Sequence, residues 1–322
     1  MKDTILSGIR PTGKIHIGNY LGSLSNFLKL QDNYDCYFFI ADLHSLNEHF
    51  DPAEKQKQII DLTKDYLAAG LDPKKCTIFA QSHMPQHSEL AIILQNVIPA
   101  SYLFRMTQYK DKSGDRENDK VNAGLLFYPI LMAADILMYK STKIPVGQDQ
   151  TQHVELSRDA AGFFNNKFGQ TFPEPQPLFT ETPKVMSLLL PEKKMSKSLG
   201  NSHCIYIDDE PEIIKAKLAK AVTDTGDGKS QGAKNLLDLI KIFSKKSIYE
   251  QMLSAQQNHE LKYSELKNQL AQDISDYFAA FRERKKKITD AKAKKILADG
   301  AKKATKTADK TLKEVKEKIG LI

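Results

Sequence analysis

The apolar positions of this chain change their spacing along its length, and those changes divide it. Over the first ~200 residues, compact apolar runs of strand length alternate with stretches whose apolar residues recur every three to four positions. TILSGI (4–9), CYFFIAD (36–42), CTIFAQS (76–82) and KIPVG (143–147) read as strands. Between them, helical patterns run from Gly18 through Leu30, over 51–71, around 87–97 and over 127–141. The second opens with an Asp-Pro start signal and spaces Ile59, Ile60, Leu62, Tyr66 and Leu67 along one face. In the last, FYPILMAADILMYKS, Pro129 is expected in the first turn, where its missing N–H does no harm. Strands separated by helices predict parallel βαβ units. The expected fold class is therefore α/β: a doubly wound, Rossmann-like parallel sheet with its ligands beyond the carboxyl ends of the strands.

After ~205 the strand signals stop. Residues 207–222 and 235–246 read as helices around a polar loop (223–234), and from ~246 onward the pattern is almost wholly helical. Near the end, Leu312, Val315 and Ile319 make a narrow apolar stripe among lysines, which would permit the tail to fold back on the first domain. The expected organisation is a catalytic domain at 1–205 and an all-helical C-terminal domain at 206–322, in keeping with a length of 322 residues.

Charge sharpens this division. Arg282 to Lys318 holds 15 Lys/Arg against 6 Asp/Glu, leaving 32 basic and 34 acidic residues for the rest. The net +7 therefore belongs to the C-terminus, as a polyanion-binding tail or a solvated lysine helix. The three cysteines, Cys36, Cys76 and Cys204, are far apart and form no CxxC, which argues for a reducing cytosol and against a cysteine-built metal site. No apolar run approaches the ~20 residues of a membrane span, and MKDTILSGIR lacks the shape of a secretory signal. A cytoplasmic protein is expected.

Several motifs can be set aside. GDGKS (226–230) has Thr223 where a phosphate-binding P-loop needs glycine, and no strand leads into it. His83 and His87 are four apart, but Pro85 lies between them and no glutamate fills the metalloprotease position. No metal site is expected. PTGKIHIGN (11–19) is more informative, because it joins the first strand to the first helix. Gly13 permits a tight turn, and Gly18 lets a ring or phosphate approach the backbone. His16 and Asn19 bring polar nitrogens to the helix start. PEKKMSKSLGN (191–201) clusters Lys193, Lys194 and Lys197 with Ser196 and Ser198. Taken alone it reads as a solvated loop.

HIGN at 16–19 and KMSKS at 194–198, in this order on an α/β domain, resemble the two signatures of class I aminoacyl-tRNA synthetases. Asn19 replaces the last histidine of the first; the second matches throughout. SGIRPTGKIHIGNYLG (7–22), MTQYKDK (106–112), MAADILMY (132–139) and VGQDQTQHVELSRD (146–159) look closest to the bacterial tryptophanyl branch. The resemblance implies ATP, with Mg2+, and L-tryptophan as substrates and tRNA(Trp) as partner. It also implies a homodimer, and a C-terminal domain that binds the anticodon. Lys194, Lys197, Ser196, His16, Asn19 and Lys112 would serve catalysis; Arg10, Thr12, Gly18, Gln108, Gly147, Asp149 and Met195 would join Asn19 in holding ATP. Leu6, Gly8, His44, Ile144, Val146 and Gln150 would line the amino-acid pocket with Tyr128, Met132 and Asp135.

The last three occupy the i, i+4, i+7 positions where tyrosyl enzymes typically carry Tyr, Gln and Asp. Met132 cannot hydrogen-bond as glutamine does; its thioether suits a flat indole, and Asp135 can accept the indole N–H. The competing readings are a tyrosyl-tRNA synthetase and a non-catalytic RNA-binding paralogue, although RNA binding alone needs none of these residues. Arg10 and Leu6 depart from the glutamine and phenylalanine of many bacterial members.

Overall fold

In the computed structural model, which describes residues 2–113, 122–147, 150–180, 183–224 and 230–322, five parallel strands form one sheet. They are β1 (Thr4–Ile9), β2 (Asp35–Ile40), β3 (Cys76–Ala80), β4 (Lys143–Val146) and β5 (Gln176–Phe179), in the order β3-β2-β1-β4-β5. The expected doubly wound class is present. The strand order reverses between β1 and β4, the switch point at which such sheets open a crevice for ligands. Strand β5 gives no sequence signal: it has four residues, one of them Pro177, and none is fully buried. It forms because its backbone pairs with β4, Lys143 opposite Gln176 through Val146 opposite Phe179.

The helices follow capping chemistry. Helices α1 (Ile17–Asn19) and α2 (Ser25–Leu30) flank a π-helical turn at Tyr20–Leu24. Helix α3 (Pro52–Ala69) begins where the Asp51 carboxylate accepts the Ala53 N–H at 2.9 Å, and ends at Gly70, whose φ of +119° excludes most other residues. Helices α4 (Pro85–Gln95), α5 (Ala100–Phe104) and α6 (Thr107–Ser113) precede α7 (Ala123–Met138). The Asn122 side chain caps α7 by accepting the Leu125 N–H at 3.0 Å. Pro129 therefore lies inside the helix and not in its first turn as expected. The rest are α8 (Thr151–Phe168), α9 (Pro211–Ala219), α10 (Gln231–Phe243), α11 (Lys246–Gln257), α12 (Tyr263–Tyr277), α13 (Ala279–Lys286) and α14 (Asp290–Lys318). Most of GDGKS lies outside the described residues.

Two compact units result. One comprises Met1–Gly13, Ser25–Glu181 and Thr289–Ile322; the other comprises Lys14–Leu24 and Thr182–Ile288. The division does not fall at residue 205. The first unit holds the sheet and a core that includes Phe39, Phe79, Leu90, Leu137 and Phe164. Helix α14 belongs to it, packed on β3, α3, α4 and α7. Ala293, Leu297, Gly300, Ala304, Ala308 and Val315 make up much of its buried face. The second unit takes the segment that bears HIGN and the segment that bears KMSKS, together with α9 to α13.

The close approach of α14 to the sheet turns on one position. A Cβ at Gly300 would lie 1.7 Å from the backbone oxygen of Ile78 in β3, so the helix must move to admit even alanine. Gly300→Ala is expected to lower stability by about 1–3 kcal/mol, read from denaturant or thermal melts. Gly162→Ala in α8 is the control. A Cβ there meets nothing within 4 Å, so that change should be neutral or should stabilise by up to ~1 kcal/mol. Equal behaviour of the two variants would remove the close-packing account.

Candidate active site

A buried carboxylate organises the first unit. Asp135, on the fourth turn of α7, is 1% exposed. Its two oxygens receive four contacts. Gln81 Nε2 lies 2.9 and 3.0 Å from Oδ1 and Oδ2, His87 Nδ1 lies 2.6 Å from Oδ1, and His44 Nε2 lies 2.7 Å from Oδ2. Burial alone would raise its pKa, but the His44 and His87 hydrogen bonds hold it below the ordinary value. The group is therefore an anion. His44 and Gln81 sit just beyond the carboxyl ends of β2 and β3, so the parallel topology delivers both to the same place.

Several of the other expected pocket residues belong to the same unit. Tyr128, two turns earlier on the same face of α7, meets the His44 ring edge-on at 6.4 Å between centroids. Its hydroxyl lies 2.7 Å from His153 Nε2, and burial pushes its pKa up to about 12, so it stays a phenol. Leu6, Ile144 and Val146 are buried in the same core, with Met132 partly buried against it. Gly8 is required by space: a Cβ there would stand 2.8 Å from both ring and backbone of Phe39. Gln150 precedes α8, its N–H donating to the Gly147 carbonyl at 3.0 Å. Asp149 lies outside the described residues, as does the side chain of Lys112; Gln108 is half-buried on α6. Thr12 closes the turn onto the Arg10 carbonyl at 2.9 Å. The Arg10 guanidinium donates to Glu48 at 2.7 Å in an exposed pair.

The second unit brings the two lysine and histidine motifs together across 175 residues of chain. The Ile17 N–H donates to the Ile205 carbonyl at 2.9 Å and the Ile207 N–H to the Ile15 carbonyl at 3.0 Å. The segment following KMSKS thus straps the HIGN segment. His16 is 5% exposed and caps α1: its Nδ1 accepts the Asn19 N–H at 3.2 Å, while the Asn19 amide oxygen returns toward the His16 N–H. Nδ1 being an acceptor, the ring proton resides on Nε2, which is left as a donor. Burial, Lys197 and Lys194 together lower the His16 pKa to about 4. Gly18 is demanded by that ring, which a Cβ would approach to 3.0 Å. Met195 is 2% exposed and its N–H donates to the Val185 carbonyl at 2.9 Å, so it anchors the loop. Lys193 and Lys194 stand exposed on either side of a clip in which the Ser187 N–H donates to the Lys193 carbonyl. Ser196 and Ser198 hydroxyls share a hydrogen bond of 2.9 Å.

Three residues escaped the sequence reading: Gln81, His87 and Tyr139. His87 drew notice only as a poor metal ligand. Its position just past the end of β3 is a signal that topology offers and spacing does not.

A 3-2-1-4-5 parallel sheet with a buried polar cluster past its strand ends, in a chain whose lysine loop is strapped to a helix start, defines a Rossmann-like α/β protein. The chain belongs to the tRNA synthetases of class I (W and Y), whose family model matches residues 2–279. Over 99% of this chain it is 44% identical to the tryptophan–tRNA ligase of Caldanaerobacter subterraneus subsp. tengcongensis, and over its full length 42% identical to that of Rickettsia conorii. These alignments cover 98% and 100% of the relatives. The structure superposes on tryptophanyl-tRNA synthetase from Campylobacter jejuni, complexed with ADP and tryptophan, with a TM-score of 0.86 at 31% identity, over 98% of this chain and 99% of the other. A tyrosyl-tRNA synthetase from Archaeoglobus fulgidus, at 21% identity and a TM-score of 0.68 over 88% and 90% of the chains, shares the fold.

The depressed His16 value has a thermodynamic consequence. Between about 6.5, the free-histidine value, and about 4, the unfolded chain binds a proton that the folded protein refuses. Stability should therefore fall as pH drops through that window, by up to about 3 kcal/mol from this residue. His16→Asn keeps a capping acceptor and removes the titration, so it should flatten the slope in denaturant melts at pH 7, 5.5 and 4.5. Identical slopes in the two proteins would refute the assignment.

Proposed function

We propose that the chain activates L-tryptophan with ATP to tryptophanyl-adenylate and transfers the amino acid to tRNA(Trp). The observation that carries this reading is the face of α7 that presents Tyr128, Met132 and the ionised Asp135. A thioether lies where a tyrosine site needs an amide, beside a carboxylate able to accept an indole N–H. The relatives named above, at 42–44% identity, are tryptophan–tRNA ligases.

In the first step a carboxylate oxygen of tryptophan attacks the α-phosphorus, and the bond to the bridging oxygen breaks to release pyrophosphate. No covalent nucleophile is required. The protein has to hold two anions together and neutralise charge growing on the phosphates. Lys194 and Lys197 supply that charge, Ser196 and the His16 Nε2–H donate hydrogen bonds, and Asn19 fixes the His16 ring. Because His16 is neutral at working pH, it donates without repelling the lysines. Arg10 supplies a cation near the amino-acid carboxylate or the α-phosphate of ATP, and Gly147 and Asp149 the contacts to ribose. The tRNA terminal hydroxyl then attacks the aminoacyl carbonyl and AMP departs.

Magnesium enters with ATP. Among the described residues no group of three or more His, Cys, Asp or Glu side chains stands ready to hold a metal ion, and the lysine-rich donor set suits phosphate oxygens. The ion would thus be carried by the triphosphate, where it shields charge. The helices of the second unit meet the anticodon region, and lysines of 282–318 contribute salt-sensitive phosphate contacts. The active form is a cytoplasmic homodimer; among the described residues, no helix is long and apolar enough to cross a membrane.

Amino-acid-dependent ATP–pyrophosphate exchange should proceed with tryptophan and not with tyrosine. Exchange with tyrosine alone would replace the substrate assignment, and exchange with neither would favour an RNA-binding protein. Lys197→Ala should slow adenylate formation by about 10²–10³ while tryptophan binding, measured by calorimetry, changes less than about twofold. A large loss of tryptophan affinity instead would contradict the phosphate role.

A further inference from the structure

Behind Asp135 lies a second tier of groups that the reaction does not touch. His87 is fully buried, with its ring boxed by Phe39, Phe79 and Tyr139 at centroid distances of 6.3, 6.0 and 5.4 Å. One ring nitrogen, Nδ1, meets Asp135 Oδ1 at 2.6 Å; the other, Nε2, meets the Tyr139 hydroxyl at 2.7 Å. Tyr139 is itself 2% exposed, stacked on Tyr37 at 4.3 Å, and among the described residues its hydroxyl has no hydrogen-bond partner besides His87.

This arrangement admits one proton pattern. Asp135 is an anion and can only accept, so His87 Nδ1 carries a proton and donates. If Nε2 also carried a proton, it would point at the phenol oxygen and the phenol hydrogen would have no acceptor in an apolar interior, a costly omission. With Nε2 bare, the phenol donates to it and every proton has a place. We infer that Tyr139 and His87 are positioning residues for substrate specificity: Tyr139, by donating to Nε2, keeps His87 in its neutral Nδ1–H form, and His87 in turn locks the Asp135 carboxylate as the acceptor for the ligand's ring N–H. The inference rests on the reading of Asp135 as the indole acceptor.

The geometry also divides the labour around Asp135. Gln81 and His87 are buried completely, whereas the His44 side chain retains 11% exposure and occupies Oδ2. The back of the carboxylate is therefore fixed by groups with nowhere to go, and its pocket side is held by the one partner that touches solvent. An incoming N–H shares or takes Oδ2 from His44 while the His87 contact keeps the carboxylate plane from turning. A site built this way discriminates on the donor, since a ligand lacking it leaves a desolvated oxygen unpaired.

The test is Tyr139→Phe, which removes one oxygen and keeps the ring stack. Two readouts are taken on the intact protein. In ¹⁵N-histidine NMR at neutral pH, wild type should show His87 as the single neutral Nδ1–H tautomer, and the variant, which has lost the donor that keeps Nε2 bare, a fraction protonated on both nitrogens. In pyrophosphate exchange, the ratio of kcat/KM for tryptophan over its benzothiophene analogue, which lacks the N–H, should drop about tenfold, with the KM for ATP unchanged. A merely structural role would lower activity toward both amino acids alike and leave the ratio intact; that result, or an unaltered protonation pattern, overturns the proposal. Absence of discrimination in wild type, with the tautomer pattern as stated, would instead overturn the reading of Asp135 as the indole acceptor, and the inference with it. Should Tyr139→Phe not fold, His87→Asn and His87→Leu carry the same test. The amide keeps a donor beside Asp135 and should hold the ratio within about threefold, while leucine should lose tenfold or more. Equal losses in the two would overturn it.

Discussion

A carboxylate removed from water must be neutralised or surrounded by donors, and Asp135 takes the second course. That requirement reaches well beyond the residue. One donor comes from the segment after β2, one from the segment after β3, one from α4, and the carboxylate itself from α7. Parallel pairing is what lines up the ends of β2 and β3, register by register from Cys36 opposite Cys76 to Ile40 opposite Ala80. Slippage by one residue would turn His44 and Gln81 away from the anion. The core around the cluster is thus constrained by polar satisfaction as much as by apolar packing.

The positive charges are treated in the opposite way. Lys193 and Lys194 are exposed, and His16 loses its basicity first through its own burial and then through the nearby charges of Lys197 and Lys194. What is buried nearby is an anchor. The Lys217 ammonium, 8% exposed, bonds Asp209 at 2.6 Å and the Asn201 amide oxygen at 3.0 Å, and lies over the Tyr206 ring. Asn201 ends the PEKKMSKSLGN run and Tyr206 pairs with His16, so one fully paired lysine ties the loop's exit to the helix start. A buried carboxylate with a fixed set of donors and a loop with solvated cationic heads are physically different devices: the first holds one geometry, and the second keeps its charges free to move.

Much of this was legible beforehand, for reasons that differ by element. β1 to β4 announced themselves because each is a concentrated apolar run buried on both faces. β5 did not, since proline and partial exposure erase the alternation. Pro129 misled because a proline signals a helix start only when no better cap precedes it, and Asn122 does. HIGN and KMSKS pointed to a shared task, although nothing in their spacing could show that both segments leave the sheet unit for the helical one. Asp135 was found through its place on α7; its companions were not, because a buried Gln81, His87 and Tyr139 look, one at a time, like core residues with incidental polarity.

The C-terminal helix shows that charge and packing carry different information about one segment. Its lysines mark 282–318 as different from everything before it, which argues for a separate domain. Its other face argues the reverse: Gly300, Ala304 and Ala308 are small enough to bring the α14 backbone against β3, and Val315 joins the core of the sheet unit. Lys302, Lys306, Lys310 and Lys313 recur every three or four residues on the exposed side, so they form a stripe held rigidly by the packing opposite. Charge sets what such a surface attracts, and packing sets which body carries it. Here a cationic stripe rides on the unit that contains Asp135. Attraction of a polyanion to that stripe weakens steeply with salt, whereas the buried contacts of Asp135 are screened little. Ionic strength therefore acts on two layers of one unit to different degrees, because one lies in solvent and the other does not.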